Sequence, residues 1–157
     1  MRLQKILVPV DFSKSSETAL SYANYIAREF SASIYLIHVV DDRYVEKISE
    51  FNGETRVEVS RKLSLLAKEN LKTFLAENKS EGTVVEHTIT VGIPFQAIAL
   101  RAQALAADMI VMGGHGRMGN GQIDKIFFGS NAEKVVRLLP CPVLCVPQQV
   151  AGMESSY

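Results

Sequence analysis

The stretch VMGGHGRMGNGQIDKIFFGS, residues 111–130, carries six of the chain's ten glycines between an apolar run and the opening of a helical pattern. Glycine lets a backbone amide approach an oxyanion with no Cβ in the way. The helix expected after Gly129-Ser130 adds free N–H groups bearing about half a positive charge. Residues of this kind in this order suit the binding of phosphate. A second signal ends the first apolar run, which exits through Pro9-Val10-Asp11. In an open parallel sheet, ligands bind beyond the carboxyl ends of the strands where the strand order reverses. If the first and fourth strands are neighbours, Asp11 and the glycine segment share one crevice.

Several phosphate chemistries can be weighed against the spacing. Gly114-x-Gly116-x-x-Gly119 matches the dinucleotide fingerprint, but it follows the fourth strand rather than the first, and no acidic residue ends a strand about twenty residues on. That match is read as chance. No P-loop run of glycine, four residues, glycine and lysine is present, so a P-loop kinase or GTPase mechanism lacks its lysine. The fifth strand ends in Cys145-Val146-Pro147 without the lysine of a phosphoacceptor receiver, and the third ends without its aspartate. Metal binding is not expected: His115 has no ligand set beside it, and His38 and His87 fall within strands.

The elements that must position these residues follow from periodicity. Five short β-branched runs, KILVPV (5–10), SIYLIHVV (33–40), TVVEHTITV (83–91), DMIVMG (108–113) and PVLCVP (142–147), alternate with helical patterns. Ala19, Ala23, Ile26, Ala27 and Phe30 predict a first crossover helix after Ser13–Ser16. Leu63, Leu66, Ala67, Leu71 and Phe74 predict a second, and Pro94 opens a third at the position where proline is tolerated. Ser130-Asn-Ala-Glu133 has the spacing of a capping box and starts a fourth. Strands alternating with such helices connect as βαβ crossovers, so the class is α/β with a parallel sheet covered on both faces. Residues 41–59, DDRYVEKISEFNGETRVEV, read as a long polar connection and a mobile lid.

At 157 residues the chain is the size of one domain, expected over 1–147, with residues 148–157 a fraying tail. Lysine plus arginine balances aspartate plus glutamate at 17 each, so no nucleic-acid or membrane partner is called for. The N-terminal apolar run is too short for a signal peptide or a span, and a cytoplasmic location is expected. Cys141 and Cys145, four apart in a strand, would stand roughly 13 Å from one another, too far for a disulfide. They read as buried, reduced core thiols.

The path from ILVPVDFS through IHVVD, VGIPFQAI and MGGHGR to GSNAEKVVRLLPCPVLCVP resembles the universal stress protein family over nearly the whole chain. The resemblance implies a doubly wound domain with a five-stranded parallel sheet in the order 3-2-1-4-5. It also implies a homodimer through the fifth strands, Pro142 to Val146 here, and bound ATP in the glycine-loop branch. By the same resemblance Asp11 bonds the nucleoside, the backbone of Val39 meets the adenine edge, and Gly113, Gly116, Arg117, Gly129, Ser130 and Asn131 surround the phosphates. Pro9, Val10, Met112, His115 and Gly119, from the same runs, complete the candidate set. Plainer roles exist: Asp11 as a helix cap, Ser130 within its capping box, Arg117 as a solvated loop charge.

The family spacing is G-x-x-G, nine residues, then glycine and serine or threonine. Gly116-Arg-Met-Gly119 with Gly129-Ser130 satisfies it literally. The His-Gly-Arg context instead aligns Gly113 and Gly116 with the first pair, which leaves twelve residues before Gly129; this register is preferred. ATP is expected as a ligand of a stress-response or regulatory protein, with AMP, ADP and a magnesium ion left open. The alternatives are a slow ATP-hydrolysing enzyme and a structural dimer with an empty site. No serine, histidine and carboxylate set can be paired near the glycines, so turnover is expected to be weak or absent.

Overall fold

The computed structural model describes residues 2–78, 84–114, 129–138 and 140–147. The first apolar run forms β1 (Lys5–Pro9), in which Ile6, Leu7 and Val8 are all fully buried. Three successive buried side chains require cover on both faces, the condition of a central parallel strand. Chain order continues with α1 (Lys14–Phe30), β2 (Ser33–Asp41), α2 (Asp42–Asn52), α3 (Arg56–Glu77), β3 (Val84–Gly92) and α4 (Pro94–Leu105). β4 (Met109–Gly113), α5 (Ser130–Leu138) and β5 (Val143–Val146) follow. The strands form one parallel sheet in the order β3-β2-β1-β4-β5, as the resemblance implied. β1 lies between β2 and β4, with Lys5–Pro9 opposite Ser33–Ile37 and Ile6–Leu7 opposite Met109–Ile110.

Alternation along the strands divides the core. Ile6, Val8, Val111 and Val146 pack with Ala19, Leu20, Ala23 and Ala27 of α1 and with Leu71 and Phe74 of α3. Leu7, Ile37, Ile110 and Met112 pack with Ile98 and Ala102 of α4 and with Ala132 and Val135 of α5. The alanines of α1 let its axis approach the sheet closely. Phe30 and Leu66, expected on the buried stripes, are exposed. Leu66 is one residue, about 100° of helix, from buried Ala67.

Residues 41–59 are not an irregular connection but hold α2 and the start of α3. Asp41 caps α2 by accepting from the Arg43 N–H at 3.0 Å, Gly53 ends it at φ 68°, and Thr55 and Glu58 form a capping box that starts α3. Val45 is fully buried against Val40, Val59 and Ala67 in a small core of its own. One buried anchor in eleven residues gives too little periodicity to read as a helix. The helices are therefore five among the described residues, not four.

Two further expectations are corrected. Ser130 is the first helical residue of α5 rather than its cap: the Glu133 N–H donates to the Gly129 carbonyl at 3.0 Å, while the Glu133 carboxylate pairs with Arg137 at 2.9 Å. Cys141 and Cys145 are free but half-buried, because β5 is an edge strand and Cys141 precedes it.

Candidate functional site

β1, β2 and β4 end together at the carboxyl edge of the sheet, and α1 and α5 both begin there. The Gly114 N–H donates to the Val146 carbonyl at 2.8 Å, and the Gly129 N–H donates to the Gly114 carbonyl at 2.7 Å. The chain that leaves β4 therefore returns to the same point, and Gly129, Ser130 and Asn131 open α5 against the β4 exit. Met112 is buried and Gly113 half-buried at the end of β4. His115, Gly116, Arg117 and Gly119 lie outside the described residues, as does the tail 148–157.

Gly113 has a packing reason to be glycine. A Cβ built there would lie 2.3 Å from Ser15 Oγ, 2.8 Å from Ser15 Cβ and 3.0 Å from the Ser15 carbonyl carbon. The β4 exit and the first turn of α1 thus touch backbone to side chain. Ser15 is 3% exposed and its hydroxyl has no hydrogen-bond partner. A buried polar atom left unpaired costs about 1–3 kcal/mol, so the close approach of Gly113 to Ser15 is made at some cost in stability.

Asp11 follows Pro9 and Val10 at the β1 exit. Its Oδ1 accepts from the Ser13 N–H at 3.1 Å, from Ser13 Oγ at 2.5 Å and from Ser16 Oγ at 2.5 Å. The Asp11 N–H in turn donates to Ser16 Oγ at 3.0 Å. Ser13, not Asp11, caps α1 by accepting from the Ser16 N–H at 3.3 Å, so the plainer role considered for Asp11 is filled by its neighbour. Between them Phe12 has φ 64°, a left-handed conformation that is an outlier for an aromatic residue. Its ring stacks on His38 at 4.4 Å between centroids and meets Phe74 edge-on at 5.9 Å. His38 Nδ1 lies 2.8 Å from the Val10 carbonyl. Val39, the next residue of β2, is half-buried opposite Thr90 of β3. At the rim, Arg43 grips Asp41 at 2.9 and 2.6 Å and holds that carboxyl below its usual range.

The sequence reading missed Phe12, Ser15, Ser16 and His38 as parts of this edge, and took Gly114 only as one glycine of the segment. The run DFSKSS signalled only a helix start, and a positive φ at phenylalanine leaves no trace in residue type. Burial pushes the thiols of Cys141 and Cys145 above the usual range, which leaves them poor nucleophiles. Among the described residues no three His, Cys, Asp or Glu side chains gather into a metal site. No described helix is long and apolar enough to cross a membrane.

With that geometry in place, the comparison with known proteins is decisive on family: the model of the universal stress protein family matches residues 2–147. The chain belongs to the universal stress protein family. Universal stress protein MJ0531 of Methanocaldococcus jannaschii is 35% identical, over 91% of this chain and 81% of that protein. Universal stress protein MJ0577 of the same organism is 30% identical over 93% and 96%. A solved structure of MJ0577 superposes with a TM-score of 0.80 at 32% identity, covering 96% of this chain and all of the other. A universal stress protein from Archaeoglobus fulgidus, solved in complex with dAMP, superposes with a TM-score of 0.58 at 25% identity, over 92% and 98%. The five-stranded order and the helices on both faces are those of the universal stress protein fold.

Proposed function

We propose that this universal stress protein binds ATP at the β1/β4 edge as a regulatory ligand, with turnover slow or absent. The observation that carries the reading is the closure of Gly129 on Gly114, which sets the N-terminus of α5 beside the bare backbone of Gly113 and Gly114, across from the first turn of α1. Free N–H groups at helix starts attract anions. Asp11, held by Ser13 and Ser16, is the acceptor for the ribose, the backbone of Val39 serves the adenine edge, and Gly113, Gly116, Arg117, Gly129, Ser130 and Asn131 take the phosphates. Pro9, Val10 and Met112 stand at the same strand ends, and His115 and Gly119 complete the proposed set. The dAMP held by the Archaeoglobus fulgidus relative supports an adenine nucleotide as the ligand class.

The same reading makes β5 the interface of a homodimer. It is an edge strand, and an apolar edge invites pairing with a second copy around a twofold axis. ATP titrated into nucleotide-stripped protein should give saturable heat, and ATP at a hundred times its dissociation constant should add about 2.7 kcal/mol of stability. Absence of both heat and thermal shift at millimolar ATP with magnesium refutes the reading; AMP and cyclic AMP run in parallel define the phosphate requirement.

A further inference from the structure

We infer that His38 is a positioning residue that sets the preference of the site for ribonucleotide over deoxyribonucleotide, acting through the Val10-Asp11-Phe12 turn; this rests on the ATP reading above. The turn is held from two sides. Ser13 and Ser16 grip the Asp11 carboxylate through Oδ1. From the sheet side, His38 Nδ1 bonds the Val10 carbonyl at 2.8 Å, and the same imidazole stacks on Phe12 at 4.4 Å with 27° between the rings. Phe12 needs that support, because φ 64° is unfavourable for an aromatic side chain and persists only where the surroundings over-determine it. Phe74 of α3 closes the far side of the ring.

The left-handed residue is what turns the chain so that the Ser13 N–H reaches back to Asp11. If Phe12 relaxes to an ordinary conformation, Asp11 loses the geometry in which three donors converge on one oxygen. His38 immediately precedes Val39 in β2, so the residue that aims the ribose acceptor and the backbone assigned to the base edge belong to one rigid strand. A carboxylate fixed in this way discriminates by hydroxyl: an analogue without the 2′-OH forfeits the hydrogen bond that the held carboxylate would accept from it. A carboxylate free to swing into water loses that discrimination while phosphate contacts persist.

The test uses the full chain, stripped of nucleotide, with ATP, dATP and inorganic tripolyphosphate as ligands. Wild type is expected to prefer ATP over dATP by about tenfold, and Asp11→Ala to remove the preference. His38→Phe keeps a ring against Phe12 but loses the bond to Val10; it should remove the preference to the same extent, and His38→Phe with Asp11→Ala should go no further. His38→Asn restores a donor near the position of Nδ1 and should recover part of the preference. Tripolyphosphate affinity should stay within about twofold throughout. Amide exchange at Asp11 and Ser13 should quicken in His38→Phe, with Ile6 to Val8 unchanged, a readout that needs no ligand. Preference retained in His38→Phe but lost in Asp11→Ala overturns the role of His38 and leaves the ATP reading standing. Equal affinity of wild type for ATP and dATP also overturns it, and no binding of either by wild type refutes the ATP reading itself.

Discussion

Gly129 donates its N–H to the carbonyl of Gly114 at 2.7 Å, so two glycines separated by fourteen residues of sequence meet at one hydrogen bond. Deleting Asn120, Gly121 and Gln122 keeps both anchors and changes the closure entropy by only about 0.2 kcal/mol. The fold and ATP affinity are expected to survive, because the register counted from Gly113 and Gly116 then matches the family spacing. Loss of binding by calorimetry, with circular dichroism unchanged, would instead support the register counted from Gly119.

Gly113 cannot be probed in isolation from the fold. Alanine there places a Cβ against the Ser15 side chain and carbonyl carbon, so Gly113→Ala is expected to destabilise by about 1–3 kcal/mol, read as a lower urea midpoint at unchanged slope. Ser15→Ala removes a buried hydroxyl that has no partner, and the ligand-free protein should be as stable as wild type or more so.

Val45 anchors α2. Val45→Ala should cost about 2 kcal/mol through lost burial and a residual cavity. Limited proteolysis should then cut within 41–59 first, whereas the wild type resists there. Equal resistance of the two proteins would show that α2 is held by its ion pairs, Arg56 to Asp42 at 2.6 Å among them, rather than by this side chain.

Light scattering at tens of micromolar is expected to give the mass of a dimer. Leu144→Lys sets a charge on the β5 edge and should halve that mass without altering the circular dichroism spectrum. A monomeric wild type disposes of the β5 interface.

Asp108 accepts from the Gln4 N–H at 2.8 Å and the Lys5 N–H at 2.9 Å through one oxygen, and these backbone bonds hold its carboxyl below the usual range. A lowered folded value means stability that is fully present above about pH 4 and is lost as pH falls through the folded value. Asp108→Asn should therefore be less stable than wild type at neutral pH and show a shallower acid limb. Parallel denaturation curves for the two proteins between pH 7 and pH 3 would contradict this.

Much of the architecture was determined by the sequence alone. Consecutive burial in KILVP, the alanine stripe of α1, Pro94 at the start of α4 and the motifs from ILVPVDFS to PCPVLCVP specify the strands, the crossovers and the family, because period and turn chemistry are local properties of residue type. What only the tertiary structure decided is contact between segments far apart in sequence. Asp108 locks the bottom of β1, Gly113 is bare because Ser15 lies against it, and Phe12 is left-handed because His38 and Phe74 hold its ring. Segment 41–59 folds into helix because Val45 finds Val59 and Ala67 across a chain reversal. Each depends on two surfaces meeting, and the free energy of a packed or strained contact is a property of the pair, which no single position in the sequence carries.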